Sequence, residues 1–259
     1  MSAPADLAPE AILRRLRTAR FGRSLTVLAE TESTMDDARE AASHGAVDGH
    51  LVLADAQRSG RGSHGRPWLS PKGTDLYFSI VTRPKLEPAH LPPLTLAVGL
   101  GVAEAAERLT GARAEVKWPN DVLLGGAKCA GVLVESRASG ESLDTVILGV
   151  GLNVNRRDFP EGLEVQATSL ALARGGSSID RVEALAVVLE RIESWVDRFV
   201  AEGAASVVAA LTSRLAFIGR EASCGGVTGV VDGIDPDGAL RLLTPDGPRR
   251  SLSGRLHAR

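Results

Sequence analysis

Apolar residues gather in short blocks for most of the chain. Leu25 to Glu30, Leu51 to Ala56, Asp75 to Thr82, Ala114 to Trp118, Ala130 to Arg137 and Asp144 to Val154 are rich in aliphatic and β-branched residues and bounded by Gly, Pro, Asn or Asp. Each reads as a strand. Between them the period lengthens. Residues 8–19 fit a short basic amphipathic helix, and the segment after Ser33 fits a second, with Ser33 as N-cap and Gly45 as its stop. From Leu94 to Leu109 apolar residues fall on nearly every face, which predicts a core helix. Val182, Leu185, Leu189, Ile192, Val196 and Phe199 step by three and four, so a long helix is predicted over 180–202. Asp180 and Glu183 mark its start and Gly203 its end, and a further helix is predicted over about 204–215. After Gly219 the pattern changes to short strands broken by Gly225-Gly226, Asp235-Pro236-Asp237-Gly238 and Asp246-Gly247, the last two being hairpin signals. The expected organisation is an N-terminal extension over 1–24, a mixed α/β domain over 25–215 and a small five-stranded β-barrel over 216–259.

Composition narrows the class. With 44% hydrophobic and 24% charged residues the chain has the profile of a soluble globular protein. A formal charge of −2 argues against a nucleic-acid partner. No uninterrupted apolar run of about 18 residues points to the membrane, and the N-terminus lacks the long apolar core of a secretory signal. A cytoplasmic location is the expectation. The two cysteines, Cys129 and Cys224, are far apart and fit no metal or disulfide pattern.

Two segments carry chemistry. GRGSHGR (Gly60 to Arg66) matches GxGxxG literally and follows a strand, as a dinucleotide fingerprint would. Pro67 and Pro71 prevent a helix from starting at the last glycine, so no helix N-terminus receives a pyrophosphate and that reading fails. What remains is a loop whose glycines let backbone N–H groups approach an anion and whose Arg58, Arg61 and Arg66 supply planar, permanently charged donors. A surface loop with solvated arginines accounts for the composition equally well. The second segment, KWPND followed by AKCAGVLVE, sets Lys117 and Lys128 eleven residues apart around a Pro119-Asn120-Asp121 turn. Two lysines and an aspartate converging on one strand-end opening depart from the usual fate of lysine, which is plain solvation. Further on, Gly149 and Gly151 weaken a strand in a way that marks close approach by a ligand.

Together with GVGLNVN (Gly149 to Asn155), these motifs resemble the biotin protein ligases in order and spacing, over roughly 25–259. The resemblance implies the α/β architecture of class II synthetase-like ligases, a mixed sheet with flanking helices, plus a small C-terminal barrel of Src-homology-like type. It implies ATP-dependent activation of biotin to biotinyl-5'-AMP, with Mg²⁺, and transfer of biotin to a lysine of a carboxylase's biotin carrier domain. In that reading Ser33, Thr34, Gln57, Gly60, Arg61, Arg66, Lys128 and Gly131 bind biotin. Arg66, Trp68, Asn120, Asn153 and Arg259 hold ATP or the adenylate, with Phe159 a stacking candidate. Arg61, Lys117, Asp121 and Lys128 form the catalytic set, and Asp121 and Asn153 meet Mg²⁺. Ser63 and Arg255 depart from the family pattern, which often has Arg at the first position and an acid at the second. Ser63 is expected to weaken closure over the intermediate, with Arg61, His64 and Arg66 compensating.

About 24 residues precede the first strand, too few for the DNA-binding domain that many of these ligases carry, so ligation without repression is expected. The residues leave open whether the enzyme forms a homodimer. A lipoate- or octanoate-handling enzyme shares the implied fold but lacks the KWPND and GRGxxGR pair. A non-catalytic sensor of biotin or nucleotide draws support only from Ser63 and Arg255.

Overall fold

The computed structural model describes residues 4–139, 142–163 and 165–258. Seven strands form the main sheet: β1 (Leu25–Leu28), β2 (His50–Ala54), β3 (Leu76–Thr82), β4 (Ala114–Lys117), β5 (Asp121–Leu124), β6 (Ala127–Ser139) and β7 (Ser142–Leu152). Their spatial order is β1-β2-β3-β7-β6-β5-β4, with β1 and β2 parallel and every other pair antiparallel. The predicted strands are all present. β5 is an addition, since no strand is predicted between Trp118 and Ala130.

The helices α1 (Pro9–Arg15), α2 (Thr34–Ser43), α3 (Leu91–Thr110), α4 (Leu170–Ala173), α5 (Arg181–Glu202) and α6 (Ala204–Leu211) cover the sheet. α5 begins as predicted, with the Asp180 carboxylate accepting from Val182 N at 2.7 Å and Glu183 N at 3.2 Å. Strand alternation sorts side chains between two cores. Leu51, Leu53, Phe78, Ile80, Leu148 and Val150 join the large core that contains α3 and α5, while Val52, Val81 and Ile147 meet Met35 and Ala38 of α2 on the opposite face. Leu7, Ile12, Leu16 and Phe21 are buried in the large core, so the N-terminal segment is part of the same packing unit. The Glu193 carboxylate fastens this segment by accepting from the backbone N–H of Ala19, Arg20 and Phe21.

The C-terminal strands β8 (Glu221–Cys224), β9 (Val227–Ile234), β10 (Leu240–Thr244), β11 (Gly247–Ser251) and β12 (Leu256–Ala258) form one antiparallel sheet in the order β11-β10-β9-β8-β12. Among the described residues no ladder joins β11 to β12, so the expected barrel is an open five-stranded sheet. Both predicted hairpins are present, β9 to β10 and β10 to β11.

Candidate active site

The site is built where strand alternation meets glycine. On the α2 face of the sheet, positions that should project side chains are Gly131 on β6 and Gly149 and Gly151 on β7. Gly131 lies opposite Gly151, and Ser79 of β3 lies opposite Gly149. Without side chains there, a shallow trough in the sheet surface takes Met35 and the Trp68 ring directly against the backbone. A Cβ on Gly149 would overlap Met35 Sδ, one on Gly151 would overlap the Trp68 ring, and one on Gly131 would come within 3.0 Å of that ring. The trough is the floor of a cavity of about 370 Å³, inside the usual range for small-molecule sites.

A flap covers it. Residues 57–70 fold as a narrow hairpin through Gln57 N to Ser70 O, Trp68 N to Gly60 O at 2.7 Å and Gly62 N to Arg66 O at 2.7 Å. His64 takes φ 58° at its tip. Gly60 is required by close approach, since a Cβ there would lie 2.6 Å from Trp68 O. The flap carries Arg61, Arg66 and Trp68 to the cavity. Arg61 forms a two-pronged pair with Asp36 of α2, at 2.8 and 2.7 Å. That contact holds the Asp36 carboxyl below the usual carboxylate range, with Arg39 contributing. Arg66 donates to Ser63 Oγ at 3.2 Å, so the departing Ser63 steadies a site arginine.

The polar end of the cavity is organised by Gln57. Its Oε1 accepts from Thr34 N at 2.9 Å and from Thr34 Oγ1, and its Nε2 donates to Ser70 Oγ at 2.8 Å. Thr34 Oγ1 and Ser79 Oγ are 2.9 Å apart. Ser33 occupies the N-cap position of α2, but its hydroxyl makes no capping bond. Ser33 Oγ and Trp68 Nε1 are both buried with no partner, and both residues line the cavity. Leaving such a group unpaired costs about 1–3 kcal/mol each, a cost that a bound polar molecule would remove.

Lys128 reaches the cavity through a bulge. The β5–β6 register shifts between Val122 and Leu123, which places Cys129 and Ala130 consecutively in the large core. Lys128 therefore turns to the same side as Gly131. Its Nζ lies 2.6 Å from Asp121 Oδ1 and 5.1 Å from the centre of the Trp68 ring. Cys129 is inert, because burial pushes its thiol up to about 12.

Ser33, Thr34, Gln57, Arg61, Arg66, Trp68, Asn120, Lys128, Gly131, Asn153 and Phe159 thus share one cavity. Gly60 supports it from beneath Trp68. Lys117 and Asp121 line a smaller adjoining cleft instead, with His64, Arg255 and His257 across from them. Arg259 lies outside the described residues. Asn120 and Asn153 are tied to the frame, donating to Val132 O at 2.7 Å and Thr168 O at 2.9 Å. Sequence reasoning missed Met35, Phe78 and Leu133, whose apolar character reads as core, and Arg156, which reads as a loop charge. Among the described residues no group of three or more His, Cys, Asp or Glu could hold a metal ion. Asp121 is already paired with Lys128, and it lies in a different cleft from Asn153.

The cavity and its cationic flap suit a small, largely apolar molecule that carries an anionic group. Residues 27–153 match the Biotin/lipoate A/B protein ligase family, and residues 225–254 match the Biotin protein ligase C terminal domain. The chain is 33% identical over 256 residues to the bifunctional ligase/repressor BirA of Bacillus subtilis, covering 96% of this chain and 78% of that protein. It is 33% identical over 229 residues to the biotin–[acetyl-CoA-carboxylase] ligase of Paracoccus denitrificans, covering 85% and 95%. The solved biotin protein ligase from Aquifex aeolicus, in complex with biotin and ATP, superposes with a TM-score of 0.78 at 34% identity, over 92% of this chain and 99% of that one. The chain belongs to the biotin protein ligase family.

Proposed function

We propose that this cavity activates biotin with ATP and passes it to a lysine of a biotin carrier domain. The biotin carboxylate attacks the α-phosphorus of ATP, pyrophosphate leaves, and biotinyl-5'-AMP forms. A neutral lysine amine then attacks the acyl carbon, AMP leaves, an amide forms, and the amine's surplus proton passes to solvent. A carboxylate alone is a poor acyl donor, and the mixed anhydride supplies the missing leaving group.

The observation that carries this reading is one cavity that holds two orphaned buried polar atoms, Ser33 Oγ and Trp68 Nε1, together with the cations Lys128, Arg61 and Arg66. Ser33 Oγ and Trp68 Nε1, buried at the cavity wall without a partner, would hydrogen-bond polar atoms of the biotin rings, and Gly131, Gly149 and Gly151 line the same cavity. Lys128 and the flap arginines neutralise the carboxylate and the phosphate as they approach, in a site closed to water. Arg61 must exchange Asp36 for ligand to take part. Asp121 holds the Lys128 ammonium beside the cavity. Lys117 lies in the adjoining cleft, where the nucleotide phosphates or the incoming lysine would pass. Phe159 offers a face to the adenine. Mg²⁺ would enter with the ATP phosphates, as it does where few protein ligands are provided. Only roughly one lysine in 2,500 is neutral at pH 7, given an ordinary pKa of about 10.4, so transfer should accelerate with rising pH.

Incubating the protein with ATP, Mg²⁺, biotin and a biotin carrier domain, then weighing the domain, tests the proposal. A single biotinyl addition on one lysine is expected. An unmodified carrier in the presence of formed biotinyl-5'-AMP would remove the second step from the account.

A further inference from the structure

Behind the cavity lies a buried ion pair that the chemistry above does not use. Asp75, just before β3, is 0% exposed. Its Oδ1 accepts from Val154 N at 2.8 Å and its Oδ2 from Arg156 Nε at 2.7 Å. Arg156 Nη2 reaches Leu69 O in the flap at 2.8 Å and Tyr77 Oη at 3.1 Å. Its guanidinium lies over the Phe159 ring, 5.4 Å from the centre. Ser169 Oγ donates to Arg156 O at 2.6 Å, which fixes the main chain, and Arg181 supports Asp75 O from behind at 3.1 Å. Burial and the Asp75 carboxylate push the Tyr77 phenol far above its ordinary range, so it stays a neutral hydroxyl.

A buried ion pair is a poor source of stability, since apolar residues of similar volume usually serve as well. What it does provide is orientation. The Asp75–Arg156 pair joins three pieces of the cavity wall: the exit of β7, the far end of the flap, and the loop bearing Phe159. Only a planar group with several donors can hold Asp75 and Leu69 O together while presenting a face to an aromatic ring.

We infer that Arg156 is a positioning residue that sets the flap and the Phe159 loop together, so that filling either half of the cavity favours filling the other. The naming of the halves, biotin under the flap and nucleotide beside Phe159, rests on the function proposed above. Arg156 alone makes all three of the contacts described, to Asp75, to Leu69 O and to the Phe159 ring; Tyr77 Oη also meets Asp75 Oδ2 at 3.0 Å and Pro71 O, just past the flap, at 3.1 Å.

Biotin affinity is measured by calorimetry with and without an ATP analogue that cannot release pyrophosphate, on the full chain and on Arg156→Lys. Lysine keeps the charge beside Asp75 and loses the second arm. The wild type should bind biotin about tenfold tighter with the analogue present, a usual size for coupling between two sites. Arg156→Lys should bring that ratio to within about twofold, while the affinity for each ligand alone changes far less. Equal coupling in both proteins, or none in the wild type, overturns the inference. Amide exchange in the ligand-free proteins is the second readout. The protected flap amides of Gly62 and Trp68 should exchange about tenfold faster in Arg156→Lys, as for loss of one charge-assisted bond, with β3 and β7 unchanged. Unchanged flap exchange, or loosening spread over the whole sheet, also overturns it. A wild type that binds neither ligand defeats the functional reading, and the exchange result then judges the positioning role by itself. If Arg156→Lys does not fold, Arg156→Gln, which keeps a donor beside Asp75 and loses the arm to Leu69 O, should shift both readouts in the same direction, and no shift in either overturns the inference.

Discussion

At the scale of single residues, the site depends on what is missing as much as on what is present. Gly151 has no side chain because Trp68 lies against it, and Gly151→Ala should push the indole into the cavity. The expected result is biotin binding weakened by at least about tenfold and a lowered melting temperature, from overpacking of about 1–3 kcal/mol. Calorimetric titration with biotin checks this. Lys128→Gln removes the cation at the cavity mouth and leaves Asp121 unpaired, so adenylate formation should fall about 10²–10³-fold, read as pyrophosphate release in single-turnover experiments. Ser63→Arg returns to the flap the residue that the family often carries there, and should slow release of biotinyl-5'-AMP from the enzyme. An unchanged release rate would mean that Ser63, by holding Arg66, already does that work. Most of these residues were legible in the sequence, because glycine within a strand and arginine beside glycine are unusual enough to have a cause. Ser33 was half legible: its place at the head of α2 follows from the sequence, but only the fold shows its hydroxyl turned away from the cap.

At the scale of elements, what the sequence could not express was the bulge. Alternation alone puts Lys128 on the same side as Ala130, in the core. The extra residue at Cys129 reverses this, and no local pattern announces a bulge. Its neighbour β5 was missed for a similar reason: a strand of four residues that begins at the turn's own Asp121 is too short to show a period. Next to the edge strand β1, His50 of β2 lies between Ser24 Oγ at 2.8 Å and Thr26 Oγ1 at 3.3 Å. Burial depresses its pKa below the ordinary 6.5. As pH falls through 6.5 the unfolded chain takes up this proton before the folded one does, so the contribution to stability present above 6.5 is lost on acidification. Denaturant midpoints measured between pH 8 and pH 5 should therefore fall more steeply for the wild type than for His50→Gln. Parallel curves would assign the acid sensitivity to other groups.

For the whole molecule, the C-terminal sheet bears on the site through the KWPND segment. Trp118 Nε1 donates to Gly238 O at 2.9 Å, and Gly238 lies close against Pro92 and Pro93 at the start of α3. Gly254, Arg255, Leu256 and His257 close the cleft that Lys117 and Asp121 line. Trp118→Phe keeps the apolar ring and leaves the Gly238 carbonyl without this donor, at a cost of about 1–3 kcal/mol, which thermal unfolding would register. The change in pattern after Gly219 made a separate β unit legible. Whether its strands close into a barrel was not, because closure depends on the pairing of β11 with β12, and that is set by twist and register over the whole sheet. The most direct test of the central claim, that this cavity makes an acyl-adenylate from biotin, is exchange of labelled pyrophosphate into ATP. With Mg²⁺ present, exchange is predicted with biotin and not with octanoate or lipoate. Exchange driven by either of those acids but not by biotin, or by none of the three, would contradict the account.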